Sequence, residues 1–240
     1  MLKRRHLAEM AAPIIALSGV SLTLMSRAGP VAILRSIELE ITAAESVAIV
    51  GPSGSGKTSL LMVMAGLEKA TAGQVTVAGH NFMALNEDGL ALARGSDIGI
   101  VFQSFHLVPT MTAHENVALP LEFAGKRDAF AIAEAVLHEV GLSHRLDHFP
   151  AQMSGGEQQR VAIARALAPR PKIVFADEPT GNLDGTTGEQ VMDLLFDLQQ
   201  QRQATLVLVT HDQKLAERCG RIVRMRDARV VGANTILRHA

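Results

Sequence analysis

A glycine-rich segment, Gly51-Pro-Ser-Gly-Ser-Gly-Lys57-Thr58, lies between a strand-like and a helix-like stretch. The β-rich run Val47–Val50 predicts a strand that ends at the segment, and Thr58–Ala65 predicts a helix that leaves it. Glycines allow a tight loop whose backbone N–H groups surround phosphate oxygens, with Lys57 reaching the outer phosphates and the Thr58 hydroxyl ligating Mg²⁺. The helix N-terminus adds its dipole. A merely flexible turn is the alternative, but this context predicts a nucleotide-binding phosphate loop.

The segment Ile173-Val-Phe-Ala-Asp177-Glu178 delivers two carboxylates at the end of a buried strand. Ligands of open α/β sheets bind at the carboxyl ends of the strands. Asp177 is predicted to hold the Mg²⁺ shell, and Glu178 is placed to polarise an attacking water. A simple helix start is the alternative for an isolated acidic pair, and the phosphate loop argues against it.

A third segment, Ser154-Gly-Gly-Glu157, precedes an amphipathic run. It has the pattern of a capping box, with Ser154 at the N-cap and Glu157 three residues later. The plain interpretation is a well-capped helix. The functional interpretation is that Ser154 and the two glycines leave N–H groups free to face a phosphate. That phosphate would belong to a nucleotide presented by another subunit, which suggests a dimer.

Short strands alternate with helices along the chain, which indicates a mostly parallel sheet. A helical insertion is expected at about 103–152. Arg221–Arg229 is interpreted as a solvated strand and turn at a sheet edge. The other expected elements are strands Gln74–Ala78, Ile98–Phe102, Ile173–Ala176 and Thr205–Val209, and helices Ala129–Val140, Gly155–Ala168 and Glu189–Gln201.

The N-terminal region can be interpreted in two ways. Basic residues precede an uncharged stretch from Met10 to Ser26, as in a signal peptide or a short anchor. Glu9 and Pro13 interrupt it, and a membrane span needs about 20 apolar residues. The alternation in Ile14–Leu24 favours an edge strand instead.

Composition restricts the possible partners. The 240 residues carry 23 basic and 24 acidic side chains, so no overall field favours nucleic acid. The single cysteine, Cys219, excludes a disulfide framework and fits a reducing compartment. Because Trp and Tyr are absent, a surface that grips ligands by aromatic stacking is not expected.

Together these motifs resemble the ATP-binding cassette (ABC) ATPases over essentially the whole chain. The matched elements are the phosphate loop, Gln103 in VFQSF, the signature segment MSGGEQQR (Met153–Arg160), Asp177–Glu178, Gly181-Asn-Leu-Asp184, and His211 in VTHD. The finer sequence is most similar to the lipoprotein-releasing and macrolide-export branch, and within it to YbbA-type subunits. The resemblance implies an α/β fold of the P-loop NTPase class, with a mixed sheet and one domain over 1–240. Its RecA-like core would comprise about 1–102 and 170–240, and its helical subdomain about 103–169.

The resemblance also implies roles for individual residues. Gln103 would sense Mg²⁺ and the attacking water, His211 would contact the γ-phosphate, and Asp184 would cross the dimer seam. The expected catalytic residues are Glu178, His211, Gln103 and Lys57, and the expected metal-binding residues are Thr58, Gln103 and Asp177. The expected nucleotide-binding residues are Gly51, Pro52, Ser53, Gly54, Ser55, Gly56, Lys57, Thr58, Ser59, Ser154, Gly155, Gly156 and Asp184.

The chain departs from the family at the adenine site. Such ATPases place an aromatic residue upstream of the phosphate loop, whereas the first Phe here is Phe82, and Thr23 or Leu24 falls near the expected position. Aliphatic contact or a neighbouring element is expected to hold the base, with weak discrimination between ATP and GTP.

The predicted function is an ATP-hydrolysing transporter subunit with ATP and Mg²⁺ as cofactors. Two copies would form a head-to-tail homodimer on a separate permease, at the cytoplasmic face of the inner membrane. The resemblance implies that the permease exports or extracts lipophilic or lipoprotein-like cargo, and the insertion at 103–152 is its expected docking surface. A soluble ABC ATPase of DNA repair or translation is the main alternative, and a non-hydrolysing nucleotide sensor is another. Repair ATPases of this family carry a long coiled coil and translation ATPases carry a second cassette, and this sequence has neither; no nucleic-acid partner is expected. The presence of both Glu178 and His211 argues against a non-hydrolysing sensor.

Overall fold

The chain folds around two β-sheets, and the computed structural model describes residues 12–27 and 29–235. The larger sheet has six strands in the order β10-β9-β3-β8-β7-β6. Strands β3, β6, β7, β8 and β9 run parallel, and β10 is antiparallel to β9. The strands span Ser46–Val50 (β3), Ile98–Phe102 (β6), Ile173–Asp177 (β7), Thr205–Val209 (β8), Arg221–Arg226 (β9) and Arg229–Thr235 (β10).

The smaller sheet is antiparallel, in the order β2-β1-β4-β5. Its strands span Ile15–Ser26 (β1), Gly29–Ile41 (β2), Ala72–Val77 (β4) and His80–Asn81 (β5). Strand β1 pairs with β2 on one side and β4 on the other. The strand at Ile14–Leu24 is therefore present, but the prediction that it lies at a sheet edge is wrong. Its inward residues Ile15, Leu17, Val20 and Leu22 are buried, so this stretch belongs to the folded sheet. Residues 1–11, which carry the rest of the signal-like pattern, lie outside the described residues.

Seven α-helices complete the described part of the chain. They span Lys57–Met64 (α1), Glu87–Asp97 (α2), Ala113–Phe123 (α3), Ala129–Glu139 (α4), Gly155–Leu167 (α5), Gly185–Arg202 (α6) and Gln213–Glu217 (α7). Helix α6 begins four residues earlier than predicted because Asp184 accepts a hydrogen bond from Thr187 N and caps it. Across 12–27 and 29–235, no helix is both long and apolar enough to cross a bilayer.

The six-stranded sheet separates two apolar cores. Val47 and Ile49 of β3 face the core shared with α1 and the antiparallel sheet. Ala48, between them, faces the core shared with α3, α4, α5 and α6. This alternation is the two-residue period of a strand buried on both faces.

The stretch Arg221–Arg229 is predicted to be a solvated sheet edge, and this prediction is wrong for its strand, β9. Strand β9 pairs with β3 and β10, and its Ile222, Val223 and Met225 are buried. The exposed edge of this sheet is β10. From Val223 to Arg226 buried apolar residues alternate with exposed arginines, and this two-residue period explains how a strongly charged stretch can occupy an interior strand.

Candidate active site

Four chain segments meet at one edge of the six-stranded sheet. Parallel strands β3, β6, β7 and β8 end there, and their next residues are Gly51, Gln103, Glu178 and Thr210. Carboxyl ends of parallel strands form the ligand-binding edge of open α/β sheets. The strand topology therefore gathers motifs that lie far apart in the sequence.

The phosphate loop packs tightly against neighbouring backbone. Gly56 has a φ of 95°, and a Cβ there would lie 2.8 Å from Ile33 O in β2. This left-handed conformation and close approach require glycine. Gly56 is also the N-cap of α1, with no side-chain cap and no acidic residue in the first turn, so the helix N-terminus is suited to an anion. The buried Ser55 hydroxyl has no hydrogen-bond partner within the described residues.

Lys57 is the first residue of α1, and its Nζ donates to Gly51 O at 2.9 Å and Pro52 O at 3.0 Å. The ammonium is therefore held against the loop backbone rather than extended into solvent. This position brings one positive charge to the same loop as the helix dipole.

The structure brings Thr58 and Asp177 together, as the metal-site prediction requires. Thr58 Oγ1 donates to Asp177 Oδ1 at 3.2 Å. A hydroxyl and a carboxylate are hard oxygen donors of the kind that Mg²⁺ uses when phosphates and water complete its shell. Burial raises the pKa of Asp177, and the nearby Glu178 charge raises it further. A bound cation would offset this cost, so the residues present fit Mg²⁺.

Glu178 and His211 form a second pair at this edge. Glu178 has a φ of 45°, an uncommon conformation for a residue with a Cβ, and its N–H donates to Val209 O at 2.9 Å. His211 Nδ1 lies 2.9 Å from Glu178 Oε1. The pair thus links the end of β7 with the loop that follows β8.

Gln103 is held by a residue for which the motifs suggested no role. Its Nε2 donates to Asn182 Oδ1 at 3.1 Å, and Asn182 Nδ2 donates to Gln103 O at 3.0 Å. A Cβ at Gly181 would lie 2.7 Å from Gln103 Nε2, so the side chain occupies the space that this glycine leaves. Asn182 stands inside the matched Gly181–Asp184 segment, but its partner lies 79 positions away and could not be inferred from spacing.

Asp184 lines an open recess of about 350 Å³ together with Glu178 and His211. The Thr187 backbone N–H holds the pKa of this exposed carboxyl below its usual value. Asp184 is therefore a capping residue of α6 and also borders the predicted catalytic pair.

The signature segment forms the predicted capping box. Ser154 Oγ accepts from Glu157 N at 3.3 Å, and Glu157 Oε2 accepts from Ser154 N at 2.8 Å. The Ser154 backbone N–H, and then Arg145, lower the pKa of Glu157. The box uses the N–H groups of Ser154 and Glu157, whereas those of Gly155 and Gly156 have no partner within the helix. Both interpretations of the segment are therefore compatible with this geometry.

The signature segment borders a recess of its own. Ser154 and Gly156 line it with Thr187 and Gln190, and none of its lining residues belongs to the phosphate loop. A Cβ at Gly156 would overlap Thr187 Cγ2, so this glycine is needed for packing against α6. The phosphate loop and the Ser154 recess are therefore two separate surfaces of one copy of the chain.

The predicted adenine region lies on the β1–β2 hairpin. Leu24 pairs with Val31, and both side chains are exposed, as is Met25. Ile33, in the same hairpin, lies next to Gly56 of the phosphate loop. The predicted adenine region is therefore part of a hairpin that adjoins the phosphate loop.

Comparisons with known proteins agree with this geometry. The family model described as ABC transporter matches residues 34–181. The ABC transporter ATP-binding protein YbbA of Escherichia coli is 49% identical over 195 residues, covering 80% of this chain and 86% of that protein. The lipoprotein-releasing system ATP-binding protein LolD of Geobacter metallireducens is 50% identical over 201 residues, covering 83% and 89%.

Solved structures show the same fold. A dimeric structure of the ATP-binding cassette MJ0796 in a post-hydrolysis state, bound to ADP and Pi, superposes with a TM-score of 0.86. It is 39% identical and covers 94% of this chain and 100% of that one. A second dimeric structure of MJ0796, described as a bacterial ABC transporter cassette, gives the same values.

Proposed function

Because this chain belongs to the ABC transporter family, we propose that it is the ATPase subunit that drives a separate membrane permease. The chain binds and hydrolyses ATP, and its fold is that of a P-loop ABC ATPase. The family and the fold class predicted from the motifs are confirmed by these matches. The division into a core and a helical subdomain stays a prediction.

The observation that carries the mechanism is the pairing of Glu178 with His211 beside the pairing of Thr58 with Asp177. Glu178 would accept a proton from the attacking water, and His211 would hold the carboxylate in position. Lys57 and the phosphate loop would bind the phosphates and offset their charge. Mg²⁺, when bound by Thr58 and Asp177 with Gln103 nearby, would supply Lewis acidity at the phosphates.

Two copies would complete each site head to tail. The recess at Ser154 contains no phosphate-loop residue, so its bare N–H groups would serve the nucleotide of a partner copy. Both MJ0796 neighbours are dimeric, which supports this arrangement. Asp184, exposed at the edge of the catalytic recess, would lie near the seam.

A groove between α2 and α3 is the proposed docking surface for the permease. Leu92 and Phe123 line it with 76% and 83% of their surfaces exposed, an unusual exposure for large apolar side chains. The names of the relatives place such chains in transporters. We therefore assign the groove to an amphipathic cytoplasmic helix of the permease, which would bury both side chains. The groove includes α2, so the docking surface begins before the predicted insertion at 103–152.

The names of the lipoprotein-releasing relatives support a proposal about the cargo. We propose a lipophilic or lipoprotein-like cargo that the permease extracts or exports, with this subunit at the cytoplasmic face of the inner membrane. The permease, which contacts the cargo, would set its identity.

The test is the variant Glu178→Gln, which keeps the shape of the side chain but removes the base. The parent protein should hydrolyse ATP. The variant should bind ATP, lose turnover and elute as a dimer in size-exclusion chromatography only when ATP is present. Unchanged turnover would refute Glu178 as the base, and an ATP-bound monomer would refute the head-to-tail dimer.

A further inference from the structure

Arg165 of α5 contacts the backbone that follows Gln103. Its NH1 donates to His106 O at 2.6 Å, and its NH2 donates to Phe105 O at 2.9 Å. One guanidinium thus holds two consecutive carbonyl groups of a chain segment about 60 positions away. Arg165 lies five residues beyond the signature segment and belongs to none of the matched motifs.

The segment that Arg165 holds has an unusual backbone. Phe105 and His106 have φ values of 58° and 49°, which residues with a Cβ rarely adopt. The His106 ring packs on Phe102, with ring centroids 4.7 Å apart. Such a conformation persists only where the surroundings determine it. The two hydrogen bonds from Arg165 are part of these surroundings.

A second side chain of α5 contacts the start of the same segment. Gln159 is fully buried, and its Nε2 lies 3.4 Å from Phe102 O. Side chains of α5 therefore hold backbone carbonyls both before and after Gln103, those of Phe102 and of Phe105 and His106. Helix α5 begins at the signature segment, so the same rigid element carries Ser154 at one end and contacts the Gln103 segment along its side.

The chemistry of arginine suits this position. Its planar guanidinium presents several N–H donors in a fixed fork, whereas lysine offers a single rotatable ammonium. Burial lowers the pKa of Arg165, which reflects the cost of desolvating its charge. The carbonyl acceptors partly offset that cost.

We propose that Arg165 is a positioning residue for hydrolysis, which fixes the 102–106 segment so that Gln103 is oriented toward the reacting nucleotide. Through α5 it also couples the position of Gln103 to that of Ser154, which faces the partner copy. This inference rests on the proposed function, in which Gln103 and Ser154 both act on nucleotide.

A double-mutant cycle tests whether Arg165 acts through Gln103. Gln103→Ala and Arg165→Ala should each lower kcat about tenfold, with KM for ATP changed by no more than about twofold. The kcat of the double variant should also be about tenfold below that of the parent. The reason is that Arg165→Ala has no further effect once the side chain that Arg165 orients has been removed. A double variant about a hundredfold slower would show independent effects and overturn the inference.

Arg202→Ala is the matched control. Arg202 is also a half-buried arginine, and its NH1 donates to Leu167 O in the last turn of α5, two residues from Arg165. Its NH2 donates to Glu139, so among the described residues Arg202 contacts α5 without a hydrogen bond to the 102–106 segment. It should lower thermal stability as Arg165→Ala does, with kcat within about twofold of the parent. An equal fall of kcat in both variants would mean that the effect is general destabilisation of α5, which would overturn the inference.

Arg165→Lys provides the second variant should Arg165→Ala not fold. It keeps the charge but replaces the planar fork with a single ammonium nitrogen. Its kcat should therefore lie between those of the parent and Gln103→Ala, and combining it with Gln103→Ala should cause no further loss. Full activity in Arg165→Lys would contradict the need for a two-carbonyl fork. Unchanged kcat in Gln103→Ala alone would instead refute the catalytic role of Gln103 in the proposed function.

Discussion

His211 Nδ1 lies 2.9 Å from both carboxylate oxygens of Glu178, so the histidine holds the whole carboxylate group rather than one of its atoms. The Glu178 side chain is 20% exposed and that of His211 is 76% exposed. The backbone of Glu178 is fixed by Val209, and its side chain is fixed by the histidine. Glu178 is therefore held both by the end of β8 and by His211, two residues beyond the end of that strand.

His211→Ala should lower kcat for ATP hydrolysis by about 10²-fold, because the carboxylate would lose its orientation toward water. KM for ATP should change by less than about threefold, since the phosphate loop is intact. His138→Ala, at an exposed position on α4, is the control and should keep full activity. Steady-state kinetics of both variants would decide, and a loss confined to KM would contradict the role in orienting Glu178.

Asp177→Asn should abolish Mg²⁺-dependent hydrolysis and yet stabilise the nucleotide-free protein. The raised pKa of Asp177 means that its ionised form is disfavoured in the folded state, so a neutral amide removes a cost at neutral pH. A gain of about 1 kcal/mol would raise Tm by about 2–4 °C in a chain of this size. Thermal unfolding in EDTA measures it.

The same effect has a pH dependence of known sign. As the pH falls through the raised pKa of Asp177, the parent carboxyl becomes neutral, so the Tm difference between parent and Asp177→Asn should shrink. A difference that grows toward acid pH would show that the ionised carboxylate is favourable in the fold.

Phe123→Glu should uncouple the ATPase from its permease. A charge in the groove between α2 and α3 would oppose burial of an apolar helix face. Permease co-purification should be lost, and basal hydrolysis should stay within about twofold of the parent. The control is Val231→Glu on the exposed strand β10, where the parent side chain is 59% exposed. If Phe123→Glu still co-purified with the permease, the groove between α2 and α3 would not be the docking surface.

The chain should discriminate only weakly between ATP and GTP. The hairpin near the phosphate loop presents Leu24 and Val31, which can pack on either base without reading its edge. The KM values for ATP and GTP should agree within about threefold, and Leu24→Tyr should lower the KM for ATP because stacking is worth about 1–3 kcal/mol per base. A strong preference for ATP in a competition assay would contradict this prediction.

The elements next to the motifs were the most predictable. Strands β6 and β8 have the predicted bounds, and α1 and α5 differ by one residue, because loop glycines and the Ser154 capping box mark where helices begin. Helix α2 is not among the predicted elements, since Gly89 and Gly95 interrupt its pattern. Helix α3 lies within the predicted helical insertion at 103–152, but its bounds are not predicted, since Pro120 interrupts its pattern. The separate antiparallel sheet is not among the predictions, because β1 pairs with β4, a segment about 60 positions away, and local patterns do not indicate such a partner. For the same reason Asn182 and Arg165 could not be predicted as partners of the Gln103 segment.

The separation of the Ser154 recess from the phosphate loop has a kinetic consequence. If each reaction centre needs surfaces from two copies, the specific activity is not a constant of the chain. It should rise with protein concentration and level off once most copies are paired, as mass action requires. In the membrane, a permease that holds two copies side by side would replace this bimolecular step with a local one and so raise their effective concentration. Dilution would then abolish ATP hydrolysis by the free subunit at concentrations where the assembled transporter still hydrolyses ATP at its full rate.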